Sequence, residues 1–171
     1  LLSFLARLNY NYKGKYLLTA SIRRDGSSRF GTDNRWGNFP SVSAGWVLSD
    51  EPFMSDANPV SFLKLRGSYG VVGNNNIGNY TQYANVSITN NVVYNGVPAS
   101  GSAVVGIENK GLGWETTRQI DVGLDVGLLD DRITFTYDYY TKNTTNLLYN
   151  VDVPQESGFT NISSNLGEFK F

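Results

Sequence analysis

The chain has 171 residues, and 14 Lys and Arg against 15 Asp and Glu leave a formal net charge of −1. Because phosphate binding needs a basic excess, this balance argues against a nucleic-acid partner. The absence of Cys and His excludes disulfide bonds, thiolate or imidazole metal sites, and catalysis by a Cys nucleophile or a His base. A composition with 18 Gly and 11 Tyr favours strands and turns over helices and predicts an all-β chain.

Alternation of apolar and polar residues predicts three strands in the first third of the chain. The first alternates around Tyr10, and a tight turn at 13–15 joins it to the second, so the two form a hairpin. A polar stretch at 24–38 then precedes the third strand, and residues 49–52 can start one short helical turn. The three predicted strands span residues 7–12, 16–23 and 39–48.

Four further strands follow, separated by longer irregular stretches. Residues 73–113 are crowded with Asn and Gly and are predicted to be mostly loop, with a small hairpin at the turn Asn95-Gly96. The clearest strand of the chain carries an apolar residue at every second position from Ile120 to Leu128, and Asp130-Asp131 turns the chain after it. The predicted strands span residues 61–72, 119–128, 133–140 and 163–171.

Short connections alternate with long ones along the chain. The short connections are predicted at 13–15, 49–60 and 129–132, and the long ones at 24–38, 73–113 and 142–162. Short turns at one end and long loops at the other are typical of barrels in the bacterial outer membrane. The chain has no apolar run of the ~20 residues that a membrane helix requires. The pattern predicts an all-β, antiparallel, up-and-down transmembrane β-barrel, of which this chain supplies about seven strands.

The two faces of the predicted strands differ in chemistry. One face carries leucines and aromatic residues, several of them near strand ends, where amphipathic rings suit a membrane interface. The other face is polar and suits a water-filled or plugged lumen, in which arginines pair with carboxylates on other strands. The polar ladder that we expect on this face consists of Arg23, Arg66, Asp121 and Asp125.

Alternation alone is also compatible with a soluble β-sandwich, in which the tyrosines form cross-strand pairs. Such a sandwich would serve as a carbohydrate-binding or adhesion module. A glycosidase that uses Glu115 and Asp121 is a third interpretation, but nothing in the sequence singles that pair out. Asp33, Asp130 and Asp131 lack the spacing of a calcium loop, so we expect no metal site, no cofactor and no enzymatic activity.

Several stretches together resemble the barrel of SusC/RagA-type TonB-linked outer-membrane transporters, and they keep the family's order over nearly the whole chain. The first two are YLLTASIRRDGSSRF at 16–30 and WGNFPSVSAGW at 36–46. The middle ones are LKLRGSYG at 63–70 with GN at 73–74, and WETT at 114–117 with DVGLD at 121–125. The last ones are YY at 139–140, TTNLL at 144–148, VP at 153–154 and SGF at 157–159.

The resemblance implies that residues 1–171 are a segment of the barrel domain of a TonB-dependent receptor, whose barrel has about 22 strands around a plugged lumen. The plug domain, the TonB-contacting segment and the final strands have no counterpart in these residues. The family's members import oligosaccharides, or sometimes peptides, through the bacterial outer membrane. A SusD-like surface lipoprotein acts as their lid, the TonB complex supplies the energy, and outer-membrane lipid surrounds the barrel.

Aromatic residues in or beside the long loops are the candidates for ligand contact. Sugar rings present apolar C–H faces that stack on aromatic side chains. The alternative is that these residues fold the loops onto one another or contact the lid lipoprotein. The candidates are Trp36, Tyr80, Tyr83, Tyr94 and Trp114.

Overall fold

The structure is a computed structural model, and it describes residues 1–55 and 59–171, with the side chains of 89–91 left out. Its strands are β1 (Leu2–Tyr12), β2 (Tyr16–Gly26), β3 (Trp36–Val47), β4 (Val60–Asn74), β5 (Val86–Tyr94), β6 (Val97–Val104), β7 (Glu115–Leu128), β8 (Ile133–Thr145), β9 (Leu148–Asp152), β10 (Asn161–Asn165) and β11 (Glu168–Lys170). Short 3-10 turns lie at Leu48–Asp50, Pro52–Met54 and Gln155–Ser157.

Seven of these strands form one antiparallel sheet in the order β1-β2-β3-β4-β7-β8-β11. Each strand therefore pairs with the next strand of the sheet along the chain, which is the up-and-down arrangement predicted from the sequence. Two separate hairpins, β5 with β6 and β9 with β10, are inserted in the long connections. A sandwich would need two large sheets packed face to face. The described residues form a single large sheet, so the sandwich alternative does not hold.

The short turns between strands contain residues with positive φ angles. Lys13 and Gly14 both have a positive φ between β1 and β2, and Gly14 N–H donates to the Asn11 side chain at 2.9 Å. Residues 129–131, between β7 and β8, also have positive φ angles. The connection predicted at 49–60 contains two of the 3-10 turns, and its residues 56–58 lie outside the described part of the chain.

Several predicted strand boundaries were wrong. The strands continue into polar, Gly- and Asn-rich stretches whose composition predicts loops, because the backbone there is hydrogen-bonded to a neighbouring strand. The stretch 24–38 is shorter as a loop than predicted, since β2 continues to Gly26, which pairs with Trp36 at the start of β3. The stretch 142–162 is not irregular throughout, because β8 continues to Thr145 and the hairpin β9–β10 follows. The last predicted strand, 163–171, is two strands, broken by Gly167 with φ +82°.

The most deeply buried apolar side chains lie mainly at the long-loop end of the sheet, where loop residues pack near Phe39 of β3. Phe30 and Leu112 are fully buried, and Phe39 is 5% exposed. Large apolar side chains along the sheet are exposed instead, for example Leu8 at 67% and Tyr139 at 63%. In the part of the chain that the structure describes, no helix is long and apolar enough to cross a membrane.

Candidate functional site

The cross-strand register sorts the side chains of the sheet onto two faces. One continuous row pairs Leu18 with Ala44, Ala44 with Gly67, Gly67 with Val122, and Val122 with Tyr139. Rows two residues away on each strand have the same character, because side chains two apart on a strand share a face. This surface, called the apolar face below, exposes neighbouring large apolar side chains on several adjacent strands, which soluble proteins rarely do.

Aromatic clusters mark both ends of the apolar face. At the short-turn end, the rings of Tyr16 and Trp46 stack with centroids 6.1 Å apart, and Tyr12 lies beside Tyr16 at 6.3 Å. At the long-loop end, Phe4 stacks on Trp36 at 6.2 Å. Rings with a polar edge are favoured at membrane–water interfaces.

The spacing of these clusters fits a lipid bilayer. Trp36 and Trp46 are ten residues apart on the apolar face of β3. Ten strand residues span about 33 Å, and a strand tilt of about 45° projects this length to roughly 23 Å. That is close to the ~25 Å height of the apolar band on outer-membrane barrels.

Glu51 organises the aromatic cluster at the short-turn end. Its Oε1 accepts hydrogen bonds from the Tyr16 hydroxyl at 2.8 Å and from Trp46 Nε1 at 3.2 Å, and its Oε2 lies 3.4 Å from Lys15 Nζ. The Tyr16 hydrogen bond, followed by the Trp46 hydrogen bond and the Lys15 charge, lowers the pKa of Glu51 below its ordinary value. The carboxylate side chain is only 12% exposed, and it fixes the polar edges of both rings.

The opposite face, called the polar face below, carries an ion-pair ladder across β4, β7 and β8. Arg66 Nε lies 3.2 Å from Asp125 Oδ2, and Arg66 Nη2 lies 2.5 Å from Asp138 Oδ1. Asp121 accepts hydrogen bonds from Ser68 at 3.1 Å and from Gln119 at 2.8 Å. The structure thus brings Arg66 to Asp125, as we expected, and adds Asp138.

Arg23 belongs to a separate group on the polar face. Its Nε lies 2.8 Å from Asp25 Oδ2, and its guanidinium lies 5.7 Å from the centre of the Phe39 ring. It does not contact the carboxylates of Asp121 or Asp125, because the direct cross-strand neighbour of Arg23 on β3 is Phe39. The expected four-residue ladder is therefore two groups: Arg66 with Asp125, near Asp121, and Arg23 with Asp25.

The loop core closes the long-loop end of the polar face. Trp114 packs against Phe30 and Phe39, each with ring centroids 5.2 Å away, and its Nε1 donates to the Arg35 carbonyl at 3.2 Å. Phe39 also covers Gly37 and Gly73 so closely that neither position has room for a side chain. These contacts tie the loop at 27–35 and the loop at 105–114 to β3 and β4 at the rim of the sheet.

Side-chain hydrogen bonds extend the loop core. Arg29 donates to the Asn75 carbonyl and to Asn79 Oδ1, both at 3.1 Å. Asn165 holds Gly113 through two bonds, accepting from its N–H at 2.7 Å and donating to its carbonyl at 2.9 Å. The long connections therefore form one joined layer above the sheet.

The five predicted ligand contacts lie in three different environments. Trp36 lies on the apolar face, which favours an interfacial role, and Trp114 lies in the loop core, which fits the loop-packing alternative. Tyr80, Tyr83 and Tyr94 are exposed, Tyr80 at 69% and Tyr94 at 73%, and ligand contact stays a prediction for these three. The structure does not bring all five together.

Several of the carboxylates considered for catalysis and metal binding have structural partners. Glu115 accepts from the Asn74 side chain at 3.1 Å and from the Leu148 backbone N–H at 3.0 Å, so it links β4 and β9. Asp131 accepts from Ser61 at 2.7 Å and helps to form the β7–β8 turn. Among the described residues, no three His, Cys, Asp or Glu side chains converge as a metal site would require.

A family model described as "TonB dependent receptor-like, beta-barrel" matches residues 2–168. The chain belongs to this family. Members of the TonB-dependent receptor family lie in the outer membrane, and a lipid-facing barrel wall explains why the apolar face is exposed.

Individual relatives agree with this assignment. The chain is 48% identical over 96% of its length to TonB-dependent receptor P39 of Formosa agariphila, and 38% identical over 99% to TonB-dependent receptor SusC of Bacteroides thetaiotaomicron. Over 98% of its length it matches a solved structure of the RagAB peptide transporter, with 34% identity and a TM-score of 0.88. It spans 16% and 17% of the two receptors and 18% of the RagAB chain, so it corresponds to about one sixth of such proteins.

Proposed function

We propose that the chain is a wall segment of an outer-membrane nutrient importer driven by TonB. Its apolar face contacts lipid, its polar face lines the lumen, and its loops help to shape the vestibule where an oligosaccharide or peptide binds. A SusD-like lipoprotein covers that vestibule, and the TonB complex acts through parts of the receptor outside these residues. The segment itself carries out no covalent chemistry.

The observation that carries this proposal is the pairing of an apolar face bounded by two aromatic clusters with an ion-paired polar face. Hydrocarbon offers no hydrogen-bond partners to a backbone, so the sheet must complete its pairing with neighbouring strands, as in a closed barrel. Arg66 between Asp125 and Asp138 joins three strands on the lumen side. This arrangement suits a static wall, and the plug inside the lumen would move to let the substrate through.

The loop layer supports a role in ligand or lid contact. Hydrogen bonds and the buried Phe39–Trp114 contact hold the loops in place, while Tyr80, Tyr83 and Tyr94 remain exposed. Loops held by a rigid scaffold are the usual carriers of binding residues. RagAB is a peptide transporter, whereas the name of the SusC receptor specifies no ligand, so both ligand classes stay open for this chain.

An uptake experiment tests the proposal. The gene that encodes these residues is deleted in its own host, and uptake of a panel of labelled oligosaccharides and labelled oligopeptides is compared with that of the parent strain and of a strain without TonB. We expect uptake of at least one panel member to be lost in both mutants and restored by the intact gene. Unchanged uptake of the whole panel, or recovery of the wild-type protein in the soluble fraction, would contradict the proposal.

The partner is tested separately. The intact receptor is purified from membranes in mild detergent, and the co-purified proteins are identified. A surface lipoprotein in stoichiometric amount is expected. A receptor that is active in uptake but carries no such lipoprotein would overturn the lid assignment and leave the importer assignment in place.

A further inference from the structure

Arg24 occupies an unusual place on the sheet. It lies on the apolar face, where its direct cross-strand neighbours are Phe4 on β1 and Asn38 on β3. Its guanidinium lies 5.0 Å from the centre of the Trp36 ring, and the side chain is exposed. A guanidinium cannot lose its charge, so placing it on a lipid-facing surface requires a compensating partner.

The described part of the chain supplies no such partner. Within residues 1–55 and 59–171, no carboxylate forms an ion pair with Arg24, whereas its neighbour Arg23 is paired with Asp25 on the other face. The charge of Arg24 is therefore available to a ligand that approaches from outside the barrel.

Two stacked aromatic rings, those of Phe4 and Trp36, surround Arg24. The Trp36 ring lies over Gly26, where an added Cβ would come within 2.8 Å of the indole, and this gap lets the ring reach Phe4 across the intervening strand. A guanidinium held over an indole ring keeps its N–H edge free for hydrogen bonds. The free edge of such a planar fork matches the oxygens of a phosphate group.

The position of Arg24 along β2 indicates which phosphate-bearing molecule it can reach. Trp36 marks the long-loop end of the apolar face, and long loops are extracellular in outer-membrane barrels. The backbone of Arg24 lies two residues inside the level of Trp36, but its guanidinium extends to the Trp36 ring, which lies over Gly26. On the placement of the proposed function, this brings the charge to the headgroup level of the outer leaflet, while Phe4 and Trp36 can contact acyl chains.

We propose that Arg24, Trp36 and Phe4 form a binding site for the phosphorylated headgroup of an outer-leaflet lipid. The ligand is a lipid rather than a free phosphate, because the aromatic surface below the guanidinium is apolar and continuous with the rest of the apolar face. The site rests on the proposed function for its depth in the membrane. It adds a specific lipid contact on the outer surface of the wall.

The test compares lipid retention by the intact receptor and two glutamine variants. Arg24→Gln removes the proposed contact, and Arg7→Gln is the matched control, since Arg7 lies on the polar face of the neighbouring strand β1 opposite Ser21. The proteins are purified from outer membranes in mild detergent, and bound lipid A is measured by mass spectrometry. We expect Arg24→Gln to retain about tenfold less lipid A than wild type, as loss of a charge-assisted hydrogen-bond pair implies, and Arg7→Gln to match wild type.

A second measurement isolates the phosphate. Delipidated wild-type receptor is titrated with lipid A that carries its phosphates and with lipid A from which they have been removed. Binding to wild type should be about tenfold weaker without the phosphates. In Arg24→Lys, the difference in affinity between the two lipids should be smaller, because an ammonium lacks the planar fork. Equal binding of the two lipids, or equal retention by Arg24→Gln and wild type, overturns the site.

Failure of this site is distinguishable from failure of the proposed function. Membrane insertion and TonB-dependent uptake are measured on the same preparations. A receptor that inserts and imports but shows no Arg24-dependent lipid binding contradicts the lipid site alone. A wild-type receptor that neither inserts nor imports contradicts the proposed function.

Discussion

Arg66 donates from Nε to Asp125 across the β4–β7 pair, at 3.2 Å, and its other end reaches β8. One side chain thus links three strands of the wall through charge. Both carboxylates are partly exposed, so solvent screens the pairs and each contributes modestly. The arrangement still matters, because removing Arg66 leaves two carboxylates close together on the polar face.

Arg66→Gln should therefore lower the free energy of unfolding of the intact receptor by a small but measurable amount. Urea unfolding in detergent micelles measures the change. In 1 M salt, where the Debye length is about 3 Å, the loss should shrink to less than half. Asp138→Asn in the Arg66→Gln background should restore part of it, and a double variant less stable than Arg66→Gln would contradict the ladder.

Phe39→Ala should loosen the loop layer. The ring is 5% exposed and packs against Trp114, so its removal should cost about 3 kcal/mol or more. The sheet remains paired, and the loss appears as faster proteolysis within residues 75–85 and 105–113, by at least about tenfold. Tyr94→Ala is the control, because its exposed ring should leave the cleavage rate unchanged.

Acidification should release the aromatic cluster around Glu51. The pKa of Glu51 is held below its ordinary value of 4.5, chiefly by the Tyr16 hydrogen bond. The stabilisation by the charged form is thus complete above pH 4.5 and is lost as the pH falls through the lowered folded value. Tryptophan fluorescence should show a transition below pH 4.5 that disappears in Glu51→Gln. A transition that survives in this variant would assign it to another group.

The three exposed loop tyrosines should affect ligand binding and not stability. Replacing Tyr80, Tyr83 and Tyr94 together by alanine should raise the Kd of the transported ligand at least about tenfold, since each ring contact is worth roughly 0.5 to 1.5 kcal/mol. Tyr137→Ala, an exposed ring on the apolar face, is the matched control. Isothermal titration with the ligand identified by uptake measures the change, and an unchanged Kd in the triple variant would assign these residues to the lid or to solvent.

Much of the sheet follows from sequence periodicity. The residues from Ile120 to Leu128 alternate between apolar and polar because one face of β7 is apolar and the other is polar. The sequence alone therefore predicts which side chains share a face. The number of strands in the main sheet followed for the same reason. Boundaries did not, because residues such as Gly26 and Thr145 carry no apolar alternation and are held in strands by their partners.

The site residues were harder to predict, since they depend on register and on contacts between distant loops. Asp138 is a ladder member because Gly123, its partner on β7, has no side chain, so the carboxylate meets Arg66 beyond it. Trp36 and Trp114 both flank loops in the sequence, yet strand parity puts one on the apolar face, and contacts with residues 30 and 39 put the other in the loop core. A period-two pattern cannot supply either long-range contact.

The central claim is that the sheet separates lipid from lumen, and cysteine accessibility tests it most directly. Residues 1–171 contain no Cys, so single substitutions report cleanly in a receptor from which any cysteines elsewhere have been removed. Leu18→Cys and Ala44→Cys lie on the apolar face, and Thr19→Cys and Ser43→Cys lie on the polar face of the same strands. In the membrane-embedded receptor, a water-soluble maleimide should label the polar-face pair and spare the apolar-face pair. Equal labelling of all four, or the reverse pattern, would contradict the account.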